Sequence, residues 1–231
     1  MFTLLSLQAD SLTAATSTAV IENVAPNTEI SVLEFILKGG VFLIPIAILL
    51  LYTFYVIAER YLYIDRASKT DDRLLRDVGE QLQSGNIELA RAIVERSTNA
   101  SSTIIKEGIL VIGRPIAEIE SNMDRAADIE IGQMEKHLGH LGLIAGIAPT
   151  LGFIGTISGV IKIFYSISVT ENISIGNISG GLYEKMISSG AGLIVGIIAY
   201  SAYHLLNGKI DNFALKVQKQ ILEFVNIIQR A

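Results

Sequence analysis

Three runs of this chain carry no charged side chain, and each is close to the length a helix needs to cross a bilayer. They cover residues 39–58, 138–161 and 186–208. A hydrocarbon core about 30 Å thick takes roughly 20 helical residues. Inside it every backbone amide must bond within its own segment. The runs therefore predict an all-α membrane protein with three spans. Half of the 231 residues are hydrophobic, and the mean hydropathy is +0.48. Charge is concentrated between Glu59 and Lys136, so one sizeable polar part is expected beside the spans. The absence of cysteine removes disulfides and cysteine-based metal sites. A net charge of −5 and no basic face argue against nucleic acid as a partner.

Taken in order, residues 1–28 are rich in Ser, Thr and Ala and read as a flexible tail. No Lys or Arg precedes the first apolar run, so a cleaved signal peptide is not expected. Residues 29–38 place Ile30, Leu33, Ile36 and Leu37 on one helical face, as in a helix lying at a membrane surface. The first span is assigned to 39–58, with Pro45 expected to bend it. Its bulky Phe42, Leu49, Leu50 and Phe54 are expected to face lipid.

A helical polar domain follows over 59–137. Ser84-Gly85-Asn86 reads as a turn, and Gly113 with Pro115 as a second break. Between them, Leu89, Ile93 and Val94 share one expected buried side. From Pro115 a helix is expected to run unbroken into the second span, 138–166. A loop at 167–179, a third span at 180–208 and a helix at 209–231 complete the chain. That last helix spaces Ile210, Phe213, Val217, Ile221, Phe224, Val225 and Ile228 as if packed on the polar domain.

Lys and Arg set the orientation. The polar domain holds eleven and the C-terminal tail four, against one before the first span and none in the loop. The positive-inside rule puts the polar domain and C-terminus in the cytoplasm and the N-terminus outside.

The second span is unusual in its small and hydroxylated residues. Pro149, Gly152, Thr156 and Gly159 fall at helical spacing on one narrow face, with Gly155 and Ser158 nearby. In a membrane such a face lets another helix approach closely. In the third span Gly181, Glu184, Ser188 and Gly192 lie on one side, with Ser189 and Gly196 beside them. Glu184 is the only carboxylate in any span, and an ionisable residue there is a functional candidate by default. The plainer alternative pairs it with Lys185 or Lys162 at the interface.

His137 and His140 are three apart, a spacing that puts two imidazoles on one helical face. No third ligand accompanies them, so they read as an interface pair and not a metal site. An intramembrane serine protease would need a histidine at depth, and all three histidines sit at span ends. No catalytic motif or cofactor signature appears.

LKGGVFLIPI with Glu59-Arg60 after the first span, APTLGFIGTISGVIKIF, and ISGGLYEKMISSGAGLIVG together resemble the ExbB/TolQ branch of the MotA/TolQ/ExbB proton-channel family. The likeness covers roughly 31–210. It implies an inner-membrane homo-pentamer around a dimer of an ExbD/TolR-like partner that carries a membrane aspartate. It further implies a motor driven by the proton gradient, acting through a TonB-like or Tol–Pal-like protein. A MotA-like stator fits less well, because such chains have four spans. On this resemblance Thr156 and Glu184 match family positions in the ion path. Ser189 stands where the family usually has threonine, Ile198 where it usually has proline, and Lys185 where it usually has a small residue. Gly152, Gly155, Gly159, Ser188 and Gly192 would pack helices or line the pore. Hydroxyls and a carboxylate serve sodium as well as protons, so sodium stays an alternative ion. A scaffold that assembles partners without conducting is the competing class.

Overall fold

The structure is a computed structural model that describes residues 41–69, 72–170 and 175–230. The expected tail, surface helix and start of the first span, 1–40, lie outside the described residues. Seven helices are described: α1 (Leu43–Ala67), α2 (Asp72–Gln83), α3 (Ile87–Glu95), α4 (Ala100–Leu110), α5 (Ile116–Glu135), α6 (Leu138–Thr170) and α7 (Ile175–Arg230). Three stretches are long and apolar enough to cross a membrane: Leu43–Ala67, Ile116–Thr170 and Ile178–Gln229.

α1 begins two residues before Pro45. The proline sits in the first turn, where its missing N–H is unpaired in any helix. It therefore does not bend the span, contrary to expectation. The lipid-facing set also changes. Leu49 and Leu50 pack inward against the small apolar cluster of Ile46, Ile144, Ala148, Val195 and Ala199. Phe42 lies against Gly155 of α6. Phe54 points outward as expected, and Ile44 and Leu51 do so as well.

The turn at Gly85 (φ +75°) and the break at Gly113 (φ +94°) are both in place, each with glycine in left-handed backbone. Between them the buried face of α3 is Ala90 and Val94, with Ile93 partly covered. Leu89 is 46% exposed, so it does not share that face.

α7 is one 56-residue helix that leaves the apolar region without interruption. Its far half carries the predicted stripe. Ile210, Phe213, Val217, Ile221 and Phe224 are buried in the main core with Ile64, Val78, Ile104 and Met123. Ile228 packs partly against the same core. The buried Ser101 hydroxyl of α4 donates to the Gln220 side-chain carbonyl of α7.

Two boundaries shift. Helix continues through Thr170 and resumes at Ile175, so most of the stretch read as loop is helical. The helix from Pro115 is not continuous either. Lys136 (ψ 135°) ends α5, and His137 takes left-handed backbone (φ +67°). The His137 carbonyl then accepts the backbone N–H of His140 at the start of α6, 3.1 Å. Histidine is among the few side chains enriched in that conformation.

Candidate functional site

α6 and α7 lie side by side and antiparallel, and small residues set the spacing along the whole contact. A Cβ on Gly196 would lie 2.6 Å from the Pro149 ring and 3.1 Å from the Ala145 carbonyl oxygen. One on Gly192 would strike the Ala148 carbonyl oxygen. One on Gly152 would sit 2.9 Å from the Ser189 Cα and 3.0 Å from the Ser188 carbonyl oxygen. A Cβ on Gly155 would stand 2.9 Å from the Ser188 Oγ. Further along, Gly159 lies under the aliphatic stem of Lys185, and Gly181 faces Ile163. The glycine faces of the two spans thus meet each other within one chain. The small-residue face of α6 is covered by α7 of the same chain.

This arrangement explains Lys185. Its long stem fits because position 159 has no side chain. Lysine stems commonly lie along apolar surface while the amine reaches toward water.

Thr156 is half-buried at the edge of the seam, and its hydroxyl donates to the Phe153 carbonyl one turn back, 2.6 Å. Ser188 is fully buried and donates to the Lys185 carbonyl, 2.9 Å. Both hydroxyl protons are therefore committed to backbone oxygens. A hydroxyl retains lone pairs after donating, so Thr156 can still accept a hydrogen bond from water or a protonated carboxyl. Ser189 is half-buried beside Gly152. The backbone of Glu184 lies in α7, and its side chain is outside the described residues.

Sequence reasoning missed Thr53, the only Ser or Thr in residues 39–58. It is fully buried and donates to the Leu49 carbonyl, 2.7 Å. Its isolation in an apolar run was the available signal. No group of three or more potential metal-ligating side chains occurs among the described residues.

The sequence matches the family model described as the MotA/TolQ/ExbB proton channel family over residues 89–219. A protein named as a biopolymer transport ExbB homolog, from Methanothermobacter thermautotrophicus, is 30% identical over 189 residues, 81% of this chain and 67% of that one. An ExbB-like biopolymer transport protein of Synechocystis is 26% identical over 178 residues, 75% of this chain and 70% of that one. The Tol-Pal system protein TolQ of Haemophilus influenzae is 27% identical over 108 residues, 47% of each chain.

Proposed function

Because this chain belongs to the MotA/TolQ/ExbB proton channel family, we propose that it is the channel subunit of an ExbB-type motor in the bacterial inner membrane. Five copies would ring a dimer of an ExbD/TolR-like partner and couple proton entry to TonB-dependent transport at the outer membrane. The observation that carries this reading is the close seam of α6 and α7, with Thr156 and Ser189 at its edge. The N-terminus would face the periplasm and the C-terminus the cytoplasm, as the distribution of Lys and Arg indicates. A TolQ-like role in envelope integrity and division is the second reading. The similarity to TolQ favours it, over a shorter stretch than the Methanothermobacter ExbB homolog.

The division of labour follows from chemistry. Residues 39–58 and 138–170 contain no Asp or Glu, and Glu184 is the one carboxylate of the third span. A proton crossing apolar surroundings needs a titratable carrier or a water chain. Thr156 and Ser189 can orient either, but hydroxyls do not ionise at neutral pH. The carrier at mid-membrane would be the partner's aspartate, poised against these hydroxyls. One charge falling through 100 mV yields about 2.3 kcal/mol, so a mechanical step draws on several protons.

The test is proton uptake into liposomes under an imposed membrane potential. The chain alone should leak little, because an apolar pore dewets. Co-reconstitution with a one-span partner should bring uptake that is lost when the partner's membrane aspartate becomes asparagine. Equal flux through the chain alone would place the carrier in this protein and overturn the reading.

A further inference from the structure

The joint between α5 and α6 carries a set of titratable groups that the ion path does not use. His137 and His140 stack with ring centroids 5.5 Å apart and 16° between planes. The His137 Nδ1 lies 3.6 Å from Glu59 Oε2 of α1. The His140 Nδ1 lies 2.7 Å from the Tyr52 hydroxyl, one helix away and 88 residues earlier. Glu59 also holds Arg60, whose buried guanidinium donates to the Gln133 carbonyl of α5, 3.1 Å, just before the break. Tyr63 donates to the Gln133 side chain as well, 3.2 Å. The left-handed residue that separates α5 from α6 is thus tied to α1 through two imidazoles, a carboxylate and a phenol.

We propose that Glu59, His137, His140 and Tyr52 form a proton-binding clamp that tightens the α5–α6 joint against α1 when the pH at that face falls. A neutral His137 sees Glu59 only as a dipole. A protonated His137 faces a carboxylate, and an imidazolium beside an opposite charge is favoured. His140 limits the response to one proton, because a second imidazolium in the stack repels the first. Its neutral Nδ1 accepts from the Tyr52 hydroxyl, and protonation removes that acceptor. The other charged groups around the joint are Arg60 on α1, Lys136 in the break and Glu135 at the end of α5. On α7, Tyr203 stands beside Gly142, with His204 as its ring neighbour, and Lys209 covers the Tyr61 ring. Arg60 engages Glu59 and holds its carboxyl below the ordinary glutamate range, so His137 faces a carboxylate that stays ionised.

The structural part of this inference is independent of the ion carried. Its consequence for flux rests on the channel reading above. The experiment is amide hydrogen exchange of residues 133–141 in the full chain in nanodiscs, from pH 8 to pH 5.5, corrected for the intrinsic rate. Protection should rise as the pH falls. His137→Asn keeps the left-handed backbone and should abolish the titration. Glu59→Gln should lower the midpoint, and His140→Phe should keep the stack while leaving one titration step. Protection that does not titrate, or that titrates equally in His137→Asn or at an unchanged midpoint in Glu59→Gln, overturns the clamp. If the clamp holds and the liposome assay of the complex shows no flux, the channel reading fails alone.

Discussion

In the polar bundle Gly108 lies against the Met123 sulfur and the Phe224 ring, whereas in the spans Gly192 lies against the carbonyl oxygen of Ala148. The first glycine makes room for large side chains and the second for a backbone. Gly152 likewise meets the backbone of Ser188 and Ser189, whereas Gly159 and Gly181, nearer the end of the seam, meet the side chains of Lys185 and Ile163. The bundle buries Phe213, Phe224, Met123 and a run of isoleucines, while the spans bury Ala148, Ala199 and a few branched residues between glycines. In water, burying large apolar side chains is itself the driving force. In lipid the surroundings are as apolar as the side chains, so close backbone approach has to hold the helices. Thr156 and Ser189 sit in the region of close backbones, where helix separation is fixed to within a methyl group.

The largest expected effect is in the bundle. Phe224→Ala should cost about 3–5 kcal/mol in denaturant unfolding of the purified chain, because the ring is fully buried between α4, α5 and α7. A change under 1 kcal/mol would mean that this core does not set the bundle's stability. Next comes the seam. Gly192→Val should cost about 1–3 kcal/mol by forcing α6 and α7 apart. Gly146→Ala on the other span, α6, has open space around it and should be neutral or stabilising by up to about 1 kcal/mol. Thermal unfolding in nanodiscs separates these, and equal effects would remove the seam's special status. Ser101→Ala should cost about 1 kcal/mol by leaving the Gln220 carbonyl without its donor. Gln220→Met in the same background should then add little further loss.

The smallest effect is at the surface. The Arg91 guanidinium, and then Lys106, hold the Glu95 carboxyl below the ordinary glutamate range. A lowered carboxylate pKa stabilises the fold above the unfolded-state value and loses that contribution as the pH falls through the folded value. Glu95→Gln should therefore lower stability slightly at neutral pH, flatten the acid limb by that small amount, and change nothing below the folded-state value.

The spans, the turns at Gly85 and Gly113 and the buried stripe of α7 were legible because each rests on local pattern: charge-free length, glycine in left-handed backbone, and helical spacing. The glycine face of α6 was legible as a contact, but its occupant was not. Periodicity marks a face and does not say which helix covers it. The break at His137 was hidden because Met134, Glu135, Lys136 and Leu138 are good helix formers, and the contacts made there are with α1. Tyr52 and His140, or Glu59 and His137, are far apart in sequence and follow no motif. Leu89 was misplaced because Ala90, too small to register as apolar, takes the buried position.

On the proposed function, the seam holds the spans while Thr156, at its edge, serves the ion. Proton uptake by the reconstituted complex carrying Thr156→Val tests this most directly, with the size of the assembly measured on the same sample. Valine keeps the shape and loses the hydroxyl. The assembly should keep its size while uptake falls by about tenfold or more, since one hydrogen bond's worth of barrier, ~1.4 kcal/mol, is a factor of ten in rate. Uptake at the unsubstituted rate from an intact assembly would contradict the claim and leave Thr156 a packing residue.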